Sequence, residues 1–498
     1  MDIQRTASLT LTNVKALVAS AKKLYSNDVA MLKRLNDLEV RLEEPLRIAL
    51  VGSLKAGKST LLNGLLGERV APTDSRECTK IVTWYHQGNI PTITGTLQDD
   101  KRINLPAKRQ DDRLELELSA IHSTQYKRID VTWPAPGIEG VTLIDTPGIA
   151  SISQDLSHQT DDFLLPDGGA SGADAVVYLL RSLHESDIKY MRALHEHTKH
   201  GNASIASIAV LSRADELASG RLTAMLSINE TVEKLRNHPE LKQVCETIVP
   251  VAGLLGMGAM TLRQSEFSIF RKLAEIDPEE THKLLMTAER FITAKGESLP
   301  TEQTRINLVD RFGMYGIRLA LASIRGGIRD SEELSLELIR RSGLEELRRI
   351  IDVHFKQRQS ALKAHSVMLA LHKLLRSNKT AGAEEILLSV DEEMNATHTF
   401  DEMRLLGQIN GRQLSLSAAD ITRLEYLIGG RGLDQATRLG CAGSRASREE
   451  LLETAVKELK YWRDFEANPL LDTQTWRASK TATKSCEILI GELLENRY

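Results

Sequence analysis

Aromatic residues make up only 4% of the 498 positions, a scarcity that favours long Leu/Ala-rich helices over an all-β sandwich. Cysteine is scarcer still. Cys78, Cys245, Cys441 and Cys486 lie far apart with no CxxC pair, so neither a zinc knuckle nor a disulfide framework is expected, and the thiols read as reduced and cytosolic. Positive charge is not in excess: the formal net charge is -4, which argues against a bulk field built to hold nucleic acid. No run approaches the ~18 apolar residues that a membrane-spanning helix requires. The opening MDIQRTASLTLTNVKALVASAKK lacks the basic stretch and apolar core of a secretory signal. A cytoplasmic chain is therefore expected, one that meets any membrane from one side as a peripheral partner. Fixed-period repeats and low-complexity tracts are also absent. What remains is ordinary globular usage, 41% hydrophobic and 27% charged, in a chain long enough for about two to four domains.

Three stretches differ in their hydrophobic rhythm. Over residues 1–45, Val14, Leu17, Val18, Ala21, Leu24, Val29, Leu32 and Leu42 fall at helical spacing, giving one or two amphipathic helices before Pro45. From 46 to 260, short β-rich runs (RIALVG, TKIVTWYH, ITGTLQ, RLELEL, KRIDVTW, VTLIDTPG, ADAVVYLL, ASIAVLS, ETIVPVAG) mostly alternate with helices. This predicts an α/β sheet, parallel in the main, with an antiparallel excursion between about 86 and 135 where strands follow one another directly. From 261 to 498 strand signals vanish and an extended all-α bundle is expected. Asp330 with Glu333 and Ser447 with Glu450 read as capping boxes, and Ser342-Gly343 interrupts one helix. If the next helix runs unbroken from Leu344 to Leu375, it is roughly 48 Å long at 1.5 Å per residue.

The chemistry concentrates in the α/β stretch. Gly52-Ser53-Leu54-Lys55-Ala56-Gly57-Lys58-Ser59, followed by Thr60, fits G-x-x-x-x-G-K-[ST] between an apolar strand and a helix. In that setting, backbone N–H groups close around phosphate oxygens at a helix N-terminus, Lys58 reaches the β- and γ-phosphates, and Ser59 ligates Mg²⁺. Val141-Thr-Leu-Ile-Asp145-Thr-Pro-Gly148 delivers Asp145 to a strand end, where it can hold Mg²⁺ through water while the Gly148 N–H meets the γ-phosphate. A plain turn is the alternative. Ser212-Arg213-Ala-Asp215, at the end of another strand, departs from the usual [NT]KxD. Asp215 either caps a helix or accepts guanine N1 and N2 hydrogens, bonds that adenine cannot offer. Arg213 can lay its stem on the purine plane. Ala252-Gly253 suits a second guanine-side loop. A threonine just before the second strand is needed to ligate Mg²⁺ and hold the attacking water; Thr79 is best placed, with Thr73 and Thr83 as rivals and a plain loop threonine also open. Together these motifs imply an α/β P-loop GTPase domain with GTP as substrate and Mg²⁺ as cofactor.

Ile149 stands where Ras-like enzymes have a water-positioning Gln. With the helical leader and long helical tail, these motifs resemble the dynamin superfamily. More narrowly, G-x-L-K-A-G-K-S-T, APTD, DTPG, SRADE, Arg311-Phe-Gly-Met and Arg341-Ser-Gly-Leu resemble the isoniazid-inducible, IniC-type dynamin-like proteins of mycobacteria. The resemblance implies neck and stalk helices, G domains pairing into a nucleotide-dependent homodimer, a possible dynamin-like partner, and membrane remodelling at the inner face of the plasma membrane. It also implies a small residue at the fourth P-loop position, where relatives hold a monovalent cation. Here that position is Lys55, whose ammonium either substitutes for the cation or is a solvated loop charge. Phe312 to Arg329 is apolar and basic without an acid. It reads either as an interfacial segment, with Ile317 and Leu319 meeting lipid and Arg325 meeting anionic headgroups, or as an ordinary bundle helix. Two further readings stay open: a soluble regulatory GTPase in ribosome or RNA maturation, and a nucleotide-binding scaffold with little turnover.

Overall fold

The computed structural model describes residues 3–71, 81–105, 107–110, 113–116, 126–149, 160–166, 171–198, 206–217, 224–296, 299–410, 414–442 and 446–495. Two helices open the chain, α1 (Ile3–Leu24) and α2 (Val29–Glu43). The Asp28 side chain caps α2 by accepting from the Met31 N–H. Val14, Val18 and Ala21 of α1 and Met31, Leu35, Leu38 and Leu42 of α2 are buried in one core with Ala364, Val367, Met368 and Leu371 of the helix Gln359–Ser377. Lys363 of that helix donates to the carbonyls of Leu42 (2.8 Å) and Glu44 (2.9 Å), satisfying oxygens that the end of α2 leaves unpaired.

The strands are β1 (Leu46–Gly52), β2 (Thr83–Gln87), β3 (Thr92–Leu97), β4 (Arg102–Asn104), β5 (Ala107–Gln110), β6 (Arg113–Leu116), β7 (Tyr126–Trp133), β8 (Val141–Asp145), β9 (Ala175–Leu180), β10 (Ala206–Ser212) and β11 (Ile248–Val251). Among the described residues, nine form one sheet in the order β11-β10-β9-β1-β8-β2-β7-β3-β4. The block from β11 to β8 is parallel throughout. Beyond it β2 runs antiparallel to β8, and β3 antiparallel to both β7 and β4. The expected mostly parallel sheet with an antiparallel excursion is thus what forms. The described part of the RLELEL run, Arg113–Leu116, does not join it: as β6 it pairs with β5 in a separate ribbon.

The central strands β8, β9 and β10 are buried along their whole length. That requires cover on both faces, as in parallel sheets generally. On one face Val51, Val176, Tyr178 and Leu211 meet Met191 and Leu194 of the helix Glu185–Thr198. The same core continues through Phe267, Phe270, Leu308, Phe312 and Leu338 of the helices Gln264–Ala274, Glu302–Arg325 and Ser331–Ser342. On the other face Ile48, Leu50, Val177 and Val210 meet Leu61, Leu62 and Leu65 of α3 (Lys58–Leu66) and then Leu344, Leu347 and Phe355. The sheet's two cores therefore draw on helices well past residue 260.

The helical region departs from expectation in two places. In place of an unbroken helix from Leu344 to Leu375, the chain forms Leu344–Ile351, a π-helical turn Asp352–Lys356, and Gln359–Ser377. A π-turn inserts an extra residue into the helical register and re-aims the face that follows. At the junction the buried Arg358 guanidinium donates to the carbonyls of Val353 (3.2 Å), Ile428 (2.9 Å) and Gly429 (3.1 Å). Ser447 and Glu450 form the full expected capping box. Asp330 accepts from the Glu332 and Glu333 N–H groups, but Glu333 returns its carboxylate to Arg329 rather than to Asp330. A hairpin of Arg448–Glu466 and Thr473–Glu495 ends the chain, with Trp462, Ala478, Ala482, Cys486 and Leu489 buried in its core.

Candidate functional site

The loop between β1 and α3 is shaped by backbone conformations that its glycines permit. Gly52 has φ 155°, and a Cβ there would lie 2.6 Å from the Leu179 carbonyl oxygen on the neighbouring strand. Gly57, at φ 93°, is the N-cap of α3, so the chain turns from strand to helix with the first N–H groups of the helix facing the loop. Lys55 shares the left-handed conformation at φ 61° although it is not glycine. Its side chain is exposed and makes no ion pair among the described residues. Lys58 is the opposite case: buried, it donates Nζ to the carbonyls of Gly52 (2.9 Å) and Ser53 (3.3 Å), which line the loop's interior.

Asp145 ends β8 almost fully buried, 1% exposed, and its Oδ2 accepts the Ser59 hydroxyl at 3.2 Å. The two residues come from strands and helices 86 positions apart and converge because β1 and β8 are adjacent, with Leu50 opposite Asp145 in register. An alcohol and a carboxylate side by side at the helix N-terminus are hard oxygen donors of the kind Mg²⁺ takes. Among the described residues no group of three or more His, Cys, Asp or Glu offers a rival metal site.

The Asp145-Thr146-Pro147-Gly148 turn is locked to the loop. The Thr146 hydroxyl donates to the Leu50 carbonyl (2.9 Å), Ile149 N–H donates to the Gly52 carbonyl (3.3 Å), and Ser53 bridges Ile149. A Cβ on Gly148 would sit 3.0 Å from the Leu54 Cα, so a side chain here would push the turn and the loop apart by a few tenths of an ångström. Thr160, not singled out from the sequence, is fully buried and donates to the Pro147 carbonyl at 2.9 Å. Ile149 is 4% exposed and packs into the sheet's core, so its side chain does not reach water. Thr79, with its rival Thr73, lies outside the described residues. Thr83 is within β2, buried, donating to the Ile81 carbonyl at 3.1 Å and in register with Asp145.

On the other side of the sheet's edge, Ser212 is buried and donates to the Leu180 carbonyl at 3.1 Å, tying the end of β10 to β9. Arg213 has φ 51° and pairs with Glu216 at 2.7 Å, and Glu216 also takes Arg181 at 2.8 Å. Burial pushes the Asp215 carboxyl above its ordinary range, with Glu216 adding to the rise and Arg213 opposing it. Such a half-buried carboxylate gains from N–H donors more than an exposed one would. Ala252 and Gly253 follow β11; the Ala252 N–H donates to the Ser342 carbonyl (2.8 Å), and a Cβ on Gly253 would touch Thr60 Cγ2 at 3.6 Å. The sheet edge thus brings the phosphate-loop residues and Asp145 together, and places Asp215, in the short helix Ala214–Leu217 that follows β10, and Ala252, which follows β11, beyond neighbouring strands.

The proposed lipid-facing residues are placed elsewhere, and that reading is corrected. Ile317 is 0% and Leu319 8% exposed, both in the core that covers the sheet. Arg325 donates to the carbonyls of Ala274 (3.0 Å) and Ile276 (2.7 Å), and Arg318 donates to that of Leu285. The segment is a core helix at Ile317 and Leu319, which leaves neither residue to meet lipid, and its Arg318 and Arg325 are engaged by the carbonyls at neighbouring helix ends. Periodicity alone could not separate these cases, because the same apolar-plus-arginine pattern serves both.

Comparison with known proteins agrees with this geometry. The Dynamin_N profile, described as the dynamin family, matches residues 48–214. Isoniazid-induced protein IniC of Mycobacterium tuberculosis is 36% identical over 98% of this chain and 100% of its own length. Isoniazid-induced protein IniA of the same organism is 24% identical, covering 54% of this chain and 40% of its own. Dynamin-like protein 2 of Campylobacter jejuni is 26% identical, over 41% of this chain and 31% of its own. A solved structure described as an oligomerised bacterial dynamin pair aligns with 100% of this chain and 78% of its own at a TM-score of 0.33 and 15% identity, which adds nothing to the fold already described. On the full-length match to IniC, and with a P-loop α/β sheet joined to a large helical region, the chain belongs to the dynamin family, in the group of the bacterial dynamin-like protein IniC.

Proposed function

We propose that this protein binds GTP, hydrolyses it with Mg²⁺, and couples turnover to binding and remodelling of membrane at the inner face of the plasma membrane. The observation that carries the hydrolytic part is the Ser59–Asp145 contact of 3.2 Å at the N-terminus of α3. Those two residues, with Thr79, would hold Mg²⁺, which when bound offsets charge on the phosphates. Lys58 exchanges its loop carbonyls for the β- and γ-phosphates, the loop N–H groups from Ser53 to Thr60 surround them, and the Gly148 N–H meets the γ-phosphate. Asp215 reads guanine, Arg213 covers its plane, and Ala252-Gly253 closes the other side. Buried Ile149 leaves water to be oriented by backbone groups and Thr79. Lys55, with its exposed ammonium, supplies the charge that a bound monovalent cation would otherwise contribute, an in-cis counterpart of an arginine finger.

The helices that lie mainly outside the sheet's cores, those of 1–45 and those from Gln359 onward, serve as neck and stalk. The helices between Gln264 and Phe355 stay with the GTPase unit whose sheet they cover, and that unit pairs through its nucleotide face with a second copy or a related dynamin-like partner. No described helix is long and apolar enough to cross a membrane, so contact with anionic lipid is peripheral. The best-suited surface is the turn between the last two helices. Leu470 is 90% exposed there and Trp476 39%, with the Lys480 ammonium 5.4 Å from the indole centroid. An exposed leucine with an indole and an ammonium nearby suits an anionic interface, with Asp472 the one acid in the turn. The deciding experiment is the GTPase rate with and without Mg²⁺ and anionic liposomes. Stimulation by liposomes supports this reading, stimulation by RNA alone favours a regulatory GTPase, and absence of turnover favours a scaffold.

A further inference from the structure

Arg311-Phe-Gly-Met and Arg341-Ser-Gly-Leu carry none of the GTPase motifs, yet both reach the base side of the nucleotide site. Gly313 interrupts the helix Glu302–Arg325 with φ 63° and ψ 170°, a conformation essentially closed to residues with a side chain. A Cβ built there would lie 3.8 Å from Asp215 Oδ2 and 3.7 Å from Leu254 Cδ2. The Gly313 backbone thus sits between the short helix Ala214–Leu217, which bears Asp215, and the first turn of the helix Gly253–Met260, which bears Leu254. Its neighbours are anchored: Phe312 is 1% exposed in the sheet's core, and Gly258 and Gly316 leave room for Phe312 and Leu255 respectively. The second segment grips the opposite loop. Ser342 accepts the Ala252 N–H at 2.8 Å, and at Gly343, φ 76°, a Cβ would fall 2.1 Å from the Pro250 oxygen.

We propose that Gly313 is a positioning residue for base selection: the helix break seats the Asp215 carboxylate so that both of its oxygens face the guanine N1 and N2 hydrogens, while Ser342-Gly343 fixes the loop across from it. This rests on the reading of Asp215 as the guanine contact. Base discrimination then depends on helices that lie after the strands in sequence, and any shift of those helices alters nucleotide affinity through the base rather than the phosphates.

The test compares GDP with IDP, which lacks the 2-amino group and so forfeits one of the two bonds. The intact protein should prefer GDP by about 10-fold or more, the size of one hydrogen bond to a charged acceptor. Gly313→Ala should abolish most of that ratio by weakening GDP while IDP affinity changes by less than about 2-fold, since the shared ribose and diphosphate contacts remain. Equal weakening of both nucleotides would make Gly313 merely structural and overturn the inference. Because alanine is strained at this φ/ψ, a second measurement uses the unaltered protein. Hydrogen exchange at residues 312–315 should slow with GDP and not with inorganic pyrophosphate; protection confined to the P-loop in both cases overturns the inference as well. Asp215→Asn separates the two layers. It should shift preference from GDP to XDP, and if it does not, the base reading itself fails and this inference with it. If it does, and Gly313→Ala retains the original GDP/IDP ratio, only the role of Gly313 is lost.

Discussion

The Arg41 guanidinium of α2 lies against the Asp174 carboxylate, both nearly inaccessible to water, with Arg41 Nε 3.0 Å from Oδ1. Arg41 also donates to the carbonyls of Ser171 (2.7 Å) and Ala173 (3.0 Å), while Asp174 accepts the Arg47 N–H (2.9 Å). Burial holds the Arg41 pKa below its ordinary value, with Asp174 opposing that shift. The leader helix is therefore joined to the segment that enters β9, and nothing in the sequence marked Arg41 out from other helical arginines.

Arg41→Ala leaves Asp174 buried without its partner, and such removals cost about 3–5 kcal/mol. Asp174→Asn should cost less, and the double variant less than the sum, because the two act as one unit. Thermal unfolding of the four proteins measures this; strict additivity would mean that the pair is not coupled.

At the phosphate loop, Lys58→Ala should weaken GTP by on the order of 100-fold or more, the loss of two charge-assisted hydrogen bonds. Asp145→Ala should instead remove the Mg²⁺ dependence of turnover. A fluorescent-nucleotide titration with native affinity in Lys58→Ala would contradict the assignment.

Lys55→Ala should slow hydrolysis without weakening GTP, and added K⁺ or Na⁺ should restore part of the rate. The unaltered enzyme should be indifferent to either ion. A wild-type requirement for K⁺, or an unchanged rate in the variant, rules out the ammonium as a cation substitute.

Lipid contact now has two contrasting variants. Ile317→Glu buries a charge in the sheet's core and should destabilise by at least about 3 kcal/mol, so its effect on liposomes would report unfolding. Leu470→Glu alters an exposed position, where stability changes stay within about 0.5 kcal/mol. It should lower liposome flotation about 10-fold if the leucine inserts. Unchanged flotation with a folded protein would exclude the hairpin tip.

Glu402 offers a pH readout remote from the nucleotide. Burial raises its pKa, but Arg438, His398 and Ser485 outweigh burial and bring it down to about 2. The unfolded chain then binds the proton more readily than the native one, so this group's contribution is full above about pH 5 and is lost as pH falls toward its native pKa. The melting-temperature gap between wild type and Glu402→Gln should therefore narrow from pH 5 to pH 3. A gap that widens would reverse the sign of the shift.

The amino-acid sequence by itself determined the sheet's parallel block, the end of β8 that carries Asp145, the P-loop turn, the amphipathic stripe of α1 and the Ser447–Glu450 cap. All of these are local: glycine conformations, strand-length apolar runs, and hydrogen bonds between residues a few positions apart. The stripe that the sequence suggested for α2 fails at Val29, which is 83% exposed while Met31, Leu35, Leu38 and Leu42 face the core. Only the tertiary structure decided that helices after residue 260 finish both faces of the sheet, that Ile317 and Leu319 are core rather than interface, that β6 leaves the main sheet, and that the long helix yields to a π-turn at Asp352–Lys356. Burial and carbonyl capping depend on partners hundreds of residues away, and an apolar stripe reads the same whether sheet, helix or lipid covers it. The same limit kept Gly313 from view, since a glycine inside a helical run acquires meaning only when Asp215 and Leu254 close around it.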